Sequence, residues 1–228
     1  MENLRHHIEN IINNTFKTID EVYNTNQEGG ESEKFELTNS RLIFPKYRNG
    51  NTRVSEQELR FLFIEEFNKY CEENELQLFY SIETPTEEKY SFTSNKGESA
   101  QFDVVIHDES KKRRCLIEFK NNSTDARKHE KDFKKLSKDG DGKLCYFISI
   151  AESSDAGTLG ETDGAKEGMI PKFKRFANND EISFDNITYI CHCLNNRGKH
   201  PKKGFDTVYA GIVVNNFGWG KKSKLFEK

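Results

Sequence analysis

The sequence lacks any long hydrophobic run. No apolar stretch in its 228 residues approaches the ~18 residues of a membrane-spanning helix, and the N-terminus lacks the basic and then apolar order of a secretory signal. Hydrophobic residues make up only 34% of the chain, against 32% for charged residues, which is a low apolar content for a globular protein. We therefore expect one sizeable core with long polar loops or ends, and no membrane partner.

Cysteine pairs with the spacing of a zinc site are also missing. The chain has five cysteines, an odd number, and most lie in apolar segments: Cys71, Cys115, Cys145, Cys191 and Cys193. This pattern is typical of reduced, buried thiols in a cytoplasmic protein. Cys191 and Cys193 flank His192, but alternation along a strand turns both thiols to one face and the imidazole to the other. We interpret that tripeptide as part of a buried strand rather than as a metal site.

Charges of opposite sign are segregated along the chain, although the net charge is only −3. The first forty residues contain three Lys or Arg against eight Asp or Glu. Residues 111–138 contain eleven against four, and residues 197–228 contain eight against two. A basic block suits a polyanionic partner such as nucleic acid, because phosphate contacts are electrostatic. The alternative, which the sequence leaves open, is that these runs are solvated surfaces.

Apolar periodicity predicts helices that interleave with strands. The predicted helices cover about 2–23, 55–74, 124–138 and 171–178. The predicted strands cover about 76–84, 101–107, 114–120, 144–151, 187–194 and 207–214. Polar, Gly-rich residues predict a linker or flap over 24–53 and a loose loop over 152–169. This order predicts an α/β fold with a central mixed β-sheet flanked by helices.

Two neighbouring strands carry a charged group that such apolar segments rarely contain. Asp103 lies in the first strand, and Glu118 and Lys120 share a face of the second because side chains alternate along a strand. A Glu and a Lys in so apolar a strand are costly unless they are paired or bind a ligand. Two carboxylates and an ammonium group at neighbouring strands can hold a divalent metal and activate water for phosphodiester hydrolysis. Simple charge pairing across an exposed hairpin is the alternative.

The order of these elements resembles the PD-(D/E)XK nuclease superfamily, which includes restriction endonucleases and archaeal Holliday-junction resolvases. The resemblance covers a helix with an acidic start, a strand, the strand with Asp103, the Glu118-x-Lys120 strand, a helix and a further strand, roughly residues 53–151. Phe102 stands where the family name has proline. The resemblance implies a restriction endonuclease-like fold, with residues 1–52 as an N-terminal helix and polar linker and residues 53–228 as the nuclease-like domain.

The resemblance also implies a Mg²⁺-dependent endonuclease that hydrolyses nucleic acid, with Mn²⁺ able to replace Mg²⁺. We expect the substrate to be DNA rather than RNA. Asp103 and Glu118 would bind the metal together with the backbone carbonyl of Phe119. Lys120 would orient or deprotonate the attacking water and stabilise charge on the phosphate. Many relatives cut as dimers, so a homodimer is a further expectation.

The acid contributed by the preceding helix is Glu56 or Glu58. Ser55 and Glu58 have the spacing of a capping box, which gives Glu58 a structural role. Glu56 lies three residues before the first core leucine, Leu59, as the active acid does in the resolvase-like pattern. We therefore take Glu56 as the catalytic acid.

The helix that follows the Glu118-x-Lys120 strand is strongly basic. Four of its lysines are predicted to contact a nucleic-acid backbone: Lys128, Lys131, Lys134 and Lys135. A lone histidine such as His129 on that helix is more often a surface residue than a ligand. Two interpretations from other classes remain, a non-catalytic nucleic-acid-binding module and a protein-interaction module that retains the fold.

Overall fold

The computed structural model describes six stretches of the chain: residues 2–28, 40–90, 98–121, 126–151, 187–194 and 212–215. The chain divides into two compact units, Met1–Gln77 and Leu78–Lys228. Each unit has its own buried apolar residues.

The first unit is built on two helices, α1 (Glu2–Glu28) and α2 (Glu56–Glu73). Both bury an apolar stripe with helical spacing. The stripe comprises Ile8, Ile11, Phe16, Ile19, Val22, Leu59, Leu62, Phe63 and Phe67. A buried polar contact joins the helices, since the Thr18 hydroxyl donates a hydrogen bond to Glu66 Oε1 at 2.7 Å. The predicted helices over 2–23 and 55–74 are confirmed, but α1 continues to Glu28, into the stretch that the sequence predicted as a linker.

The predicted nuclease-like domain, residues 53–228, places α2 in the same domain as the strands. The helix α2 belongs to the first compact unit because it packs against α1. The hydroxyl of Tyr70 on α2 is also 3.2 Å from the Nδ1 atom of His7 on α1. A domain that begins at residue 53 stays a prediction.

The second unit contains a mixed β-sheet whose strands follow one another in chain order. The strands are β1 (Phe79–Tyr90), β2 (Glu98–His107), β3 (Arg113–Asn121), β4 (Leu144–Ala151), β5 (Ile187–Cys193) and a short β6 (Ile212–Asn215). The β3–β4 and β4–β5 pairs are parallel, and the other pairs are antiparallel. The helix α3 (Ala126–Asp139) provides the crossover between β3 and β4. The predicted α/β class with a mixed sheet is confirmed.

The apolar face of α3 packs on this sheet. The ring of Phe133 stacks on that of Phe147 in β4 with centroids 4.5 Å apart, and Leu136 is also buried. The strand β4 is buried along nearly its whole length, as expected for a strand with parallel neighbours on both sides. The crossover therefore covers the same part of the sheet that carries Glu118 and Lys120.

The first strand of the sheet is irregular near its end. Its pairing with β2 shifts register between Pro85 and Lys89. At this irregularity the buried carboxylate of Asp139 accepts hydrogen bonds from the backbone N–H groups of Glu87 (2.7 Å) and Glu88 (3.3 Å). The Arg113 guanidinium donates to the Pro85 carbonyl at 2.9 Å. The last residue of α3 thus holds the bulge of β1 in place.

Several sequence predictions concern residues around these elements. Cys71, Cys115 and Cys145 are buried free thiols as predicted, and burial raises the pKa of Cys71 to about 11. The side chains of Cys191 and Cys193, the loop over 152–169 and the helix over 171–178 lie outside the described residues. Within the described stretches, no helix combines the length and the apolar character that crossing a membrane requires.

Candidate functional site

The β2–β3 hairpin brings Asp103 and Glu118 together. Val104 pairs with Ile117 in the antiparallel register, so the same register sets Asp103 opposite Glu118. Residues that are directly opposed in an antiparallel pair project to one face of the sheet. The backbone N–H of Phe119 donates a hydrogen bond to Asp103 Oδ2 at 2.8 Å, which fixes the aspartate against the Glu118-x-Lys120 strand.

Two residues of α3, Asp132 and Lys135, complete a cluster of charged side chains around Glu118. The Lys135 ammonium nitrogen lies 2.6 Å from Glu118 Oε1 and 2.9 Å from Asp132 Oδ1. The other oxygen of Asp132 lies 3.1 Å from the ammonium nitrogen of Lys120. We call these five residues (Asp103, Glu118, Lys120, Asp132 and Lys135) the charged cluster. Asp132 therefore links the two lysines.

The charged cluster has a buried centre, with Asp103 and Lys120 half-buried, and it carries more negative than positive charge. Glu118, Asp132 and Lys135 are only 2%, 6% and 5% exposed. Three carboxylates face two ammonium groups, so the cluster carries an excess of one negative charge when all five are ionised. Burial raises the pKa of Glu118 well above its usual value; Lys135 opposes that rise, and Asp132 and Asp103 reinforce it. Burial lowers the pKa of Lys135, but the Glu118 and Asp132 carboxylates more than offset it and the net shift is upward. Both shifts favour retention of a proton, which is the expected response to surplus negative charge.

The donor atoms of the cluster fit a hard cation in type. The atoms that would bind the cation are carboxylate oxygens and the Phe119 carbonyl oxygen, which Mg²⁺ prefers. Mg²⁺ needs only one or two carboxylates because it keeps several waters. The Lys135 ammonium group is itself a stand-in cation, because three oxygens surround its nitrogen: Glu118 Oε1, Asp132 Oδ1 and the Gln101 carbonyl oxygen. Among the described residues, no group of three or more His, Cys, Asp or Glu side chains is arranged to hold a metal.

The two candidate acids of the preceding helix lie in the first compact unit. Glu56 opens α2 in the first compact unit, so its approach to the charged cluster stays a prediction. The alternative acid, Glu58, accepts hydrogen bonds from the Ser55 hydroxyl and from the Arg53 guanidinium at 3.1 Å. Ser55 makes no side-chain hydrogen bond to the helix backbone, so the capping box itself does not form, but these side-chain contacts give Glu58 a local structural role.

The lysines of α3 divide into two kinds. Lys131 is exposed, and the half-buried Lys134 lies 3.7 Å from Glu130. The side chain of Lys128 lies outside the described residues. Lys135 differs from its predicted role as a backbone-contacting lysine, because its ammonium group is buried between two carboxylates. Lys135 therefore belongs to the charged cluster rather than to the solvent-facing row.

The sequence reasoning missed Asp132 and misplaced His129. His129 is buried, with its ring 5.5 Å from that of Phe147, rather than at the surface. A signal was present, since positions 129, 132, 133 and 136 fall on one face of a helix. Phe133 and Leu136 mark that face as apolar. A carboxylate on a core-facing stripe requires a buried partner, and the lysines of the cluster provide it.

Comparisons with known proteins give little further definition. No protein-family model matches the chain, and no curated protein matches it significantly. A solved structure, that of Pyrococcus furiosus SfsA in complex with Ca²⁺, is similar over 62% of this chain with 14% sequence identity and a TM-score of 0.30. The chain covers 60% of the length of that protein. Membership of the PD-(D/E)XK superfamily stays a prediction.

Proposed function

We propose that the protein is a metal-dependent nuclease that hydrolyses phosphodiester bonds of nucleic acid, with DNA as its substrate. The observation that carries the proposal is the charged cluster, in which the β2–β3 hairpin sets Asp103 against Glu118. Within the cluster, Lys120 on the same strand as Glu118 contacts Asp132. Buried carboxylates beside lysines are the groups that phosphoryl hydrolysis uses to hold a cation and to stabilise charge on the phosphate.

Each residue of the cluster has a distinct role in this proposal. Asp103 and Glu118, with the Phe119 carbonyl, would hold Mg²⁺ or Mn²⁺, which when bound acidifies water and offsets charge on the phosphate. Lys120 orients the attacking water and donates to the phosphate oxygen that gains charge. Asp132 positions Lys120, because its Oδ2 atom lies 3.1 Å from the lysine nitrogen. Glu56 would act as the additional acid.

A second candidate function is a non-catalytic nucleic-acid-binding module that retains this fold. One observation favours it, the contact of 2.6 Å between Lys135 and Glu118. A carboxylate with a buried, hydrogen-bonded counter-ion is satisfied without any metal. In this case the exposed part of α3 would bind the phosphate backbone, and the cluster would serve only to hold α3 on the sheet.

Cleavage assays on matched substrates decide between the two functions. Supercoiled plasmid, single-stranded DNA and RNA are incubated with the protein and Mg²⁺, with Mn²⁺ and with chelator. The proposal expects metal-dependent cleavage of DNA. Lys120→Ala should abolish cleavage while DNA affinity stays within about twofold, because this charge acts mainly in the transition state.

Lys112→Ala is the matched control, because Lys112 is an exposed lysine in the turn of the same hairpin. This variant should cleave like the original protein. DNA binding with no cleavage of any substrate, in either metal, would instead establish the binding module. Full activity in Lys120→Ala would remove Lys120 from the mechanism.

A further inference from the structure

We propose that Lys135 is a built-in counter-ion of the metal site, which holds Glu118 and Asp132 in the metal-free protein and leaves them when a divalent cation binds. The inference rests on the proposed function and adds a form of regulation to it. The site would then be closed by its own lysine until the cation concentration is high enough to displace it.

The contacts of Lys135 are those of a bound cation. Its ammonium nitrogen is 2.6 Å from Glu118 Oε1, 2.9 Å from Asp132 Oδ1 and 2.9 Å from the Gln101 carbonyl oxygen. An ammonium group has three N–H donors, so these three oxygens satisfy it completely. The nitrogen also lies 5.7 Å from the centroid of the Phe102 ring, within the range of a cation–π contact.

A second cation cannot simply be added to this arrangement. Glu118 Oε1 already accepts the shortest contact that Lys135 makes, so a metal on the same oxygen would face the ammonium charge at close range. Exchange avoids this repulsion, because the metal ion replaces the Lys135 ammonium group. The negative charge of Glu118 then stays paired with a positive charge. The long, flexible stem of a lysine allows its nitrogen to leave while the helix backbone stays in place.

The charge balance favours exchange over simple loss of the lysine. With Lys135 in place and all five groups ionised, the cluster has an excess of one negative charge, so a divalent cation in place of Lys135 would bring the excess to zero. Removal of Lys135 without a replacement would leave two excess negative charges in a buried site, which is costly. The competing explanation is that Lys135 only fastens α3 to the sheet, in which case its loss weakens the fold and gains nothing for metal binding.

Metal titration of a lysine variant separates these two roles. Lys135→Met removes the charge and keeps a side chain of similar length. Lys138→Met is the matched control, because Lys138 is an exposed lysine on the same helix. Mn²⁺ binding is followed by electron paramagnetic resonance of the free ion. We expect Lys135→Met to bind Mn²⁺ at least about tenfold more tightly than the original protein, and Lys138→Met to change by less than about twofold.

A thermal measurement gives a second, independent result. Lys135→Met should melt below the original protein in chelator, and Mn²⁺ should recover most of that deficit, since the metal then supplies the missing positive charge. Equal or weaker Mn²⁺ affinity in Lys135→Met, with a melting deficit that Mn²⁺ does not recover, would overturn the inference.

A measurement on the unmodified chain covers the case in which Lys135→Met does not fold. With ¹⁵N-labelled lysine, the buried Lys135 ammonium should give a slowly exchanging signal that shows proximity to the Phe102 ring protons. Mn²⁺ would broaden any nearby signal, so diamagnetic Mg²⁺ is the titrant here. Loss of the protected signal on Mg²⁺ addition supports exchange, and its persistence at saturating Mg²⁺ overturns it.

The outcomes also separate this inference from the proposed nuclease function. Metal-dependent cleavage by the original protein, without any gain of affinity in Lys135→Met, would leave the nuclease function standing and remove the lysine exchange. Tight Mn²⁺ binding only in Lys135→Met, with no cleavage by the original protein, would make the lysine a permanent substitute for the metal and would overturn both the exchange and the nuclease function. Failure of both proteins to bind Mn²⁺ would overturn both.

Discussion

The side chains of the charged cluster depend on one another, so substitutions within it will not act independently. Glu118 and Lys135 are in direct contact, and Asp132 contacts both lysines. Residues that share a buried ion-pair network have coupled effects on stability. The excess of negative charge makes the coupling asymmetric: loss of a lysine raises the excess, whereas loss of a carboxylate removes it.

A double-mutant cycle on Glu118 and Lys135 should reveal this asymmetry. In chelator, Lys135→Met should lower the free energy of unfolding by about 3–5 kcal/mol, because it leaves buried carboxylates without their counter-ion. Glu118→Gln should cost less, about 1–2 kcal/mol, since Lys135 keeps Asp132 as a partner. The double variant should be more stable than Lys135→Met. Urea unfolding measures all three.

The exposed pair of Lys143 and Glu87, at 3.2 Å, is the matched control. Its cycle should show a coupling below about 1 kcal/mol, because solvent screens exposed ion pairs. Equal costs for Glu118→Gln and Lys135→Met would contradict the asymmetry and with it the charge balance assigned to the cluster.

At the scale of single elements, α3 has two faces with different surroundings. One face places Asp132, Phe133 and Leu136 against the sheet, and the other presents Lys131 and Lys134. In the proposed function, the second face is the one that would meet a nucleic-acid backbone. The helix thus supplies both the buried partner of the strand acids and the surface predicted to bind phosphate.

Neutralising the outer face of α3 should weaken DNA binding and reduce its salt dependence. Lys131→Ala together with Lys134→Ala should lower the slope of log affinity against log salt by about one unit for each phosphate that the variant no longer neutralises. Lys46→Ala with Lys69→Ala removes the same charge from exposed positions of the first unit and serves as the control. Binding titrations at several salt concentrations measure both variants. An unchanged slope in the α3 variant would show that this face is only solvated.

The turn between β2 and β3 has a built-in pH dependence. Asp108 accepts hydrogen bonds from the backbone N–H groups of Ser110 (3.0 Å) and Lys112 (2.9 Å) and from Arg114 (2.7 Å). The Lys112 backbone hydrogen bond and then the Arg114 side chain lower the pKa of Asp108 below its usual value of 3.8. A lowered pKa means that the carboxylate stabilises the fold above pH 3.8, and that this stabilisation is lost as pH falls through the lowered value.

Asp108→Asn should therefore destabilise the protein at neutral pH, and the stability difference from the original protein should shrink below pH 3.8. Glu109→Gln, on the neighbouring exposed turn residue, is the control and should show no such convergence. Chemical unfolding from neutral pH down to strongly acidic pH would test it. A difference that stays constant to the lowest pH would show that the Asp108 hydrogen bonds do not stabilise the turn.

The elements that the sequence predicts well are those whose burial is uniform. The strand over 144–151 is confirmed to the residue, because an unbroken apolar run between turns leaves little choice. The strand β1 continues to Tyr90, beyond the predicted end at 84, because its last part is polar and is held by Asp139 rather than by apolar packing. The sequence does not single out Lys135, because five lysines on one helix look alike until the sheet selects which one it covers.

For the whole molecule, the division into two units determines which part of the chain a bound cation would stabilise first. The charged cluster lies entirely in Leu78–Lys228, so any stabilisation by a cation begins in that unit. The placement of Asp103 and Glu118 on the two strands of one hairpin could be predicted from the sequence. The boundary between the units could not, because it depends on which partner α2 packs against.

Mg²⁺ should raise the melting temperature, since an ion that binds only the folded state stabilises it by mass action. At a hundredfold excess over its dissociation constant the shift should be roughly 5–10 °C for a chain of this size. Asp103→Ala should abolish the shift, whereas Asp141→Ala, an exposed acid in the turn before β4, should keep it. Differential scanning fluorimetry with Mg²⁺ and with chelator measures each. A full shift in Asp103→Ala would place the metal elsewhere.

The bulge near the end of β1 bears on how separate copies of the protein behave in concentrated solution. An outermost strand offers backbone groups to which a strand of another molecule can add, which is a common route to fibrils. Here the N–H groups of Glu87 and Glu88 are taken by Asp139, and the Pro85 carbonyl is taken by Arg113. Pro85 itself has no N–H to offer. The contact that fastens α3 to β1 thus also blocks strand addition at that end of the sheet.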